Sequence, residues 1–384
     1  MPVRNSIAER HDAHSAWRQD FHTHPELMFE LPRTSATVAE KLRAFGCDEV
    51  VEGIGRSGVV GVINGRGPGR SVGLRADMDA LPIHEATGLD YASTTPGKMH
   101  ACGHDGHTTM LLAAAEYLAA KRNFTGRVVL VFQPAEEGGG GAAVMMKDGL
   151  FDRFDVDEIY GMHNAPNLAA GTFAIRPGAF YGCADQIKIV IEGEGGHAAQ
   201  PHQTIDAVVI ASHVVLAVQS VVSRKLDPIE EAVVSITTMK TDSTAHNVIA
   251  SEVEMHGTVR AFDAATQDRI EAELKRIVEK TAEAHGGKGK LIYYRGYPAL
   301  INSKAETEYA AEAATRVSGA CAEAPKIMWG EDFSYFLEEK PGAYIWLGIG
   351  PSAPLHHPKY NFNDAVLPMG ASWFVEVVES RLAD

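Results

Sequence analysis

Residues 126–138 read GRVVLVFQPAEEG. Val128 to Phe132 are apolar without a break, the pattern of a strand covered on both faces, as strands of parallel α/β sheets are. Gln133-Pro134 ends the run, and two adjacent carboxylates, Glu136 and Glu137, follow at once. Upstream, about His107 to Lys121 reads as a helix leading into this strand. Further back, Gly58–Asn64 and Ser71–Ala76 are β-rich, and Gly65-Arg66-Gly67-Pro68-Gly69 between them reads as a hairpin-type turn. The chain opens with helical patterns at about 6–22 and 34–45, separated by the turn His24-Pro25-Glu26-Leu27. Strand-like Glu158 to Met162 comes next. Strands alternating with helices predict an α/β fold with a mostly parallel sheet.

The pattern changes between Asp185 and Tyr294. Asp185–Glu192 alternates as a strand, and Asp206–Arg224 reads as a long apolar helix. Ala232–Lys240 and Glu252–Phe262 are strands, Ala265–His285 a helix, and Lys290–Tyr294 a last strand. This βαββαβ order predicts a ferredoxin-like α+β unit with an antiparallel sheet. It is inserted, because helix and strand patterns resume at Glu306–Ser318, Ala343–Gly348 and from Met369. The expected division is a first domain of 1–184 plus 295–384 around a second of 185–294. No internal repeat is evident.

The chain has 384 residues and a formal charge of −15, with no run of Lys or Arg, which argues against nucleic acid or an anionic membrane as partner. Its longest apolar stretch, Ala207–Val222, is broken by Ser212, His213, Gln219 and Ser220, so no membrane span is expected. Met1 to His14 is polar, and Cys47, Cys102, Cys183 and Cys321 form no CxxC pair. Reduced thiols in a cytoplasm are the expectation.

Seventeen histidines, many beside Gly, Asp or Glu, point to metal chemistry. The ligand types cluster in LRADMDALP at 74–82, MHACGHDGH at 99–107, QPAEEG at 133–138 and LHHP at 355–358, with His163 after Met162. Sites in α/β sheets gather at the carboxyl ends of strands, where Asp77, Asp79, Glu136, Glu137 and His163 would fall. Thiolate, imidazole and carboxylate together suit Zn²⁺, with Mn²⁺, Co²⁺ or Ni²⁺ as substitutes. Of two adjacent glutamates, one can ligate while the other stays free to move a proton. Each feature also has a plainer reading: a Glu-Glu pair is often a solvated turn, and Cys102 alone a buried thiol. Gly138 to Gly141 is no phosphate loop, since no Lys-Ser/Thr follows.

Taken in order, HTHPEL at 22–27, LRADMDALPI at 74–83, MHACGHDGHTTML at 99–111, FQPAEEGGGGA at 132–142, GGHAAQPH at 195–202 and GEDFSYF at 330–336 resemble the co-catalytic metallo-amidohydrolases of the aminoacylase/carboxypeptidase clan. The branch is that of bacterial hippurate hydrolases and plant auxin-conjugate amidohydrolases. The resemblance implies a site for two divalent ions, Zn or Mn first, Co or Ni next, held by Cys102, His104, Glu137, His163 and His356. Cys102 would bridge them. His356 and His357 compete for one role, and the family pattern of Leu-His, a variable residue and Pro selects His356. Glu136 would be general base and acid, and Asp79 would orient a ligand histidine.

The resemblance also makes the inserted domain a lid and a dimerisation module, giving a homo-oligomer, dimer or tetramer. His197 would hold an oxyanion, in its own or a partner's site, while Asn247 and Arg260 would grip a substrate carboxylate. The activity implied is hydrolysis of N-acyl amino acids, of hippurate or N-acetyl type, by metal-held water. Two alternatives stand beside it: a dipeptidase or carboxypeptidase on the same scaffold, and a non-catalytic protein that binds acyl-amino acids.

Overall fold

The computed structural model describes residues 3–383, which form two compact units, 3–178 with 301–325 and 332–383, and 179–300 with 326–331. The expected break points, 184/185 and 294/295, lie a few residues inside the second unit.

The first unit is built on eight strands: β1 (Glu49–Ile54), β2 (Gly58–Asn64), β3 (Ser71–Asp77), β4 (Arg127–Gln133), β5 (Glu158–Pro166), β6 (Phe173–Ile175), β7 (Cys321–Glu323) and β8 (Gly342–Gly350). They form one sheet in the order β1-β2-β4-β3-β5-β8-β6-β7. The centre, β4-β3-β5-β8, is parallel throughout, and its residues are almost all buried, as the unbroken apolar run of β4 requires.

The hairpin expected between β2 and β3 does not form. β4 lies between them, antiparallel to β2 and parallel to β3. The glycines of the connecting turn serve a different contact. Gly65 N–H donates to the Gly126 carbonyl, and Gly126 N–H donates to that of Gly67. A Cβ on Gly69 would meet the Gly126 nitrogen at 2.9 Å, so the turn packs on the start of β4 rather than joining neighbours.

Helices α1 (His11–Thr23), α2 (Pro32–Phe45), α3 (His104–Lys121), α4 (Lys304–Ser318) and α5 (Leu367–Arg381) accompany the sheet. The opening helix is shorter than expected, with a separate turn at Asn5–Ala8 before α1. Helix α3 is buried on nearly all sides and starts three residues earlier than its apolar pattern suggests. Gly103, at φ +91°, caps it, and Asp105 places a negative charge in its first turn.

The second unit has the predicted βαββαβ order. Ala184–Glu192, Ala232–Thr241, Glu252–Ala261 and Lys288–Tyr297 form an antiparallel sheet in which 184–192 and 252–261 are central. Asp206 caps the helix Ala207–Ser220 by accepting the N–H of Val208 and Val209, and Asp263 caps Ala264–Ala284. A turn of π-helix carries the first of these on to Lys225. The resulting 19 residues contain an 18-residue window of mean hydropathy 1.6, so that by length and composition alone the helix would suffice to cross a membrane, which the interrupted apolar stretch 207–222 did not lead one to expect. Ile210, Ala211, Val214, Val218 and Val221 of this segment are buried in the core of the unit.

Candidate metal centre

Strands β3, β4 and β5 run parallel, so their carboxyl ends lie together, with Asp77 paired to Gln133 across β3 and β4. Asp79, Glu136 and Glu137 leave from these ends, and His163 sits near the end of β5 beside Trp346 of β8. Helix α3 begins there with His104, preceded by Cys102. Ala101 accepts the backbone N–H of His356, which ties the 355–358 loop to the same place.

The ligand atoms converge. Those of Cys102, His104 and His163 lie within 4.8 Å of one another, as do those of Cys102, Glu137 and His356. Cys102 Sγ is 3.4 Å from His163 Nε2, and Glu137 Oε1 is 3.3 Å from His356 Nε2 and 4.0 Å from His104 Nε2. Glu136 joins His104 and Glu137 in a third such group. His356 itself takes φ +63°, a left-handed conformation uncommon outside glycine and often found at functional sites. His357 turns away, its Nδ1 accepting the Lys359 N–H.

The rings of His104 and His163 are fixed from behind. His104 Nδ1 donates to the Asp79 carbonyl at 2.8 Å, and His163 Nδ1 to the Asn164 carbonyl at 2.7 Å, leaving each Nε2 to face the cluster. Asp79 spends its carboxylate on the backbone N–H groups of Glu136 and Glu137. It lies 3.5 Å from His104 Nδ1, but its nearer link to that ring is the carbonyl.

The protein alone leaves charge and valence here unmet. His104 Nε2 and Glu137 Oε1 are buried without a hydrogen-bond partner. Burial followed by the Glu137, Glu136 and Asp77 carboxylates pushes the Cys102 thiol well up. Burial also drives His163 well down, while His104, although buried, is raised to about 10 by Asp77 and Asp79. Orphaned inward-facing atoms, a thiol, three imidazoles and a carboxylate are the donor set of a borderline divalent cation. The residues therefore fit a metal site.

His197, Asn247 and Arg260 belong to the second unit. Gly196-His197 pairs with Val248-Ile249 in a small ribbon, and the Ala198 N–H donates to the Asn247 carbonyl. Arg260 lies on the strand Glu252–Ala261, its Nη1 bonded to the Val259 carbonyl at 2.9 Å and to the Thr258 hydroxyl.

Five more polar residues, Arg75, Gln133, Asn164, Asp332 and Tyr360, pack around the centre and are given no role by the sequence alone. Arg75 is fully buried between Asp77 (2.7 Å) and Asp332 (3.0 Å), and Gln133 bonds both Arg75 and Asp332. A cation inside an apolar strand needs a buried partner, and that was the signal available in Leu74-Arg75-Ala76-Asp77. Asn164 and Tyr360, whose OH donates to Asn164 Oδ1 at 2.7 Å, carried no such signal.

A model of peptidase family M20/M25/M40 matches residues 73–380. The chain belongs to this family. Its hippurate hydrolase relative from Campylobacter jejuni is 40% identical over 363 residues, 94% of either chain. An N-acetylcysteine deacetylase of Bacillus subtilis is 36% identical over 365 residues, again 94% of each. The solved structure of the YXEP protein of Bacillus subtilis, described as a dinuclear metal-binding peptidase of family M20, superposes with a TM-score of 0.87 at 31% identity over 99% of both chains. As an M20 member the chain is a metal-dependent hydrolase of the amidohydrolase type.

Proposed function

We propose that the chain hydrolyses the amide bond of small N-acyl amino acids, hippurate or N-acetyl amino acids, releasing the free amino acid and a carboxylic acid. The observation that carries this reading is the convergence of Cys102, His104, Glu137, His163 and His356 beside Glu136. These five would hold two divalent ions, Zn or Mn. Such a pair supplies a polarised carbonyl and an acidified water. The named activities of the M20 relatives support the substrate class.

Glu136 receives the proton of the attacking water and returns it to the leaving nitrogen. Its neighbour Glu137 lies 3.3 Å from His356 Nε2 and groups with it and Cys102, which suits it to the ligand role. Asp79 fixes both backbones and so the direction of each side chain. His197 Nδ1 accepts the Ala199 N–H at 3.1 Å, which puts the ring proton on Nε2. That donor is suited to a developing oxyanion, the role assigned to it here. Asn247 and Arg260 are assigned to the substrate carboxylate, a task for which the guanidinium fork is built.

The second unit, 185–294 in the sequence reading, is assigned the lid and a self-association face. Val208, Val209 and Leu216, the last 72% exposed, make an apolar stripe on its helix beside the edge strand Ala232–Thr241.

Substituting Glu136→Gln tests the assignment. Turnover of hippurate and N-acetyl amino acids should vanish while metal content stays at the wild-type level. Loss of metal in that variant makes Glu136 a ligand and overturns the division of roles. Release from dipeptides alone, after chelation and restoration of Zn²⁺ or Mn²⁺, moves the reading to a peptidase.

A further inference from the structure

Asn164 follows His163 and is buried, yet no step above uses it. Every polar atom of its amide is engaged, each toward a different piece of chain. Nδ2 donates to the Cys102 carbonyl and lies 3.1 Å from His107 Nε2, and Oδ1 accepts the Tyr360 hydroxyl at 2.7 Å. Its backbone N–H donates to His107 Nε2 at 2.9 Å.

His107 is one helical turn beyond His104 and is equally buried. Because its Nε2 accepts, its proton is on Nδ1, where it donates to Asp77 at 2.6 Å. Both nitrogens are spent, so this histidine is no ligand although it lies among them. Its ring stacks on His104 at 5.5 Å and meets His163 edge-on at 4.7 Å, filling the space behind both. Tyr360 N–H in turn donates to the His357 carbonyl, next to His356.

We propose that Asn164, with His107 and Tyr360, is a positioning hub that sets the spacing of the metal ligands; this rests on the metal-site reading above. The hub holds four of the five ligand segments: Cys102 by its carbonyl, His104 through the His107 ring, His163 by direct chain continuity, and His356 through Tyr360. Gly103 shows how closely the ligand loop is drawn onto it. A Cβ there would lie 2.4 Å from Asn164 Nδ2 and 2.5 Å from the Tyr360 oxygen, so the loop threads over the hub with no room for a side chain. Groups that orient ligands from behind typically change metal affinity 10–100-fold when removed.

The test compares buried amides of similar bonding. Asn302 is also buried, and its Nδ2 donates to the carbonyls of Arg176 and Tyr344 while Oδ1 accepts the Tyr344 N–H, with no bond to a proposed ligand residue. Asn164→Leu, Asn302→Leu and the milder Tyr360→Phe are stripped of metal in the full-length protein and titrated with Co²⁺ against a chromophoric chelator. Affinity, the visible Co²⁺ spectrum and Tm are read together. Asn164→Leu should lose about 10–100-fold in Co²⁺ affinity and Tyr360→Phe less, both with a shifted spectrum, while Asn302→Leu loses Tm alone. Native affinity and spectrum in Tyr360→Phe and Asn164→Leu, with only Tm lowered, overturn the hub. Should Asn164→Leu fail to fold, Tyr360→Phe decides by the same readings. Wild-type protein that takes up no Co²⁺ overturns the metal reading and the hub together.

Discussion

The carboxylate of Asp79 accepts the backbone N–H of Glu136 at one oxygen and of Glu137 at the other, at 3.0 and 3.2 Å. A single buried side chain thus fixes the backbones of both the proposed proton-transfer group and the proposed ligand. Asp79→Asn keeps the shape but turns an NH₂ toward one of the two N–H donors. The expected result is a fall in kcat of about 10–100-fold with a smaller change in KM. Full activity in this variant would show that the Glu136-Glu137 turn holds itself.

Gly141 comes shortly after that turn, where the chain passes back over Pro134. A Cβ at this position would lie 1.6 Å from the Pro134 carbonyl oxygen. Gly141→Ala must therefore displace the loop that carries both glutamates. A loss of about 1–3 kcal/mol in unfolding free energy is expected, with activity falling further than stability. Denaturant unfolding beside initial rates checks it.

Metal uptake should release protons. Cys102 is held as a thiol by burial and by the carboxylates of Glu137 and Glu136, yet a ligand must be a thiolate. Calorimetric titration with Zn²⁺ in buffers of different ionisation enthalpy counts the protons released. Cys102→Ser should release about one fewer than wild type, and its affinity should rise less steeply with pH. Equal counts in the two proteins would leave Cys102 outside the coordination.

His22 gives a pH dependence of opposite sense. Burial alone would lower it, but Asp105 at 2.8 Å and Glu85 at 3.3 Å raise it to about 9. A folded-state value above the unfolded one, about 6.5, stabilises the protein below the lower figure. That contribution fades as pH rises through 9. The Tm of metal-free wild type should lose more between pH 6.5 and 9 than that of His22→Gln, which should start lower at pH 6. Parallel curves would mean that His22 is not held as a cation.

Much of the fold is legible in the sequence. The unbroken apolar run of β4 told of a covered parallel sheet, and the βαββαβ order of 185–294 told of the inserted unit. The candidate ligand residues stand out in the sequence because Cys, His and Glu in loops after buried strands have few other uses, and the fold brings them together. What could not be read was pairing at a distance. Gly65 to Gly69 has the composition of a hairpin turn, and nothing local reveals that Gly126 waits to pack against it. Helix α3 began early because its cap is a left-handed Gly103 rather than Ser, Thr, Asp or Asn, so His104 looked like loop. Asn164 and Tyr360 are common residue types whose importance lies wholly in which partners the fold brings to them.

Cys102 and His356, members of one candidate ligand group, are separated by 254 positions in the chain, with the whole inserted unit threaded between them. The cation pocket is thus a product of finished tertiary structure, and no local segment can assemble it. A nascent polypeptide cannot acquire its full complement of ligands until residue 356 has emerged and docked. Premature capture of a cation by the Cys102–His104 loop alone would be weak and easily reversed. Loading of a cation at this candidate site would come late, after segments on either side of the inserted unit have met.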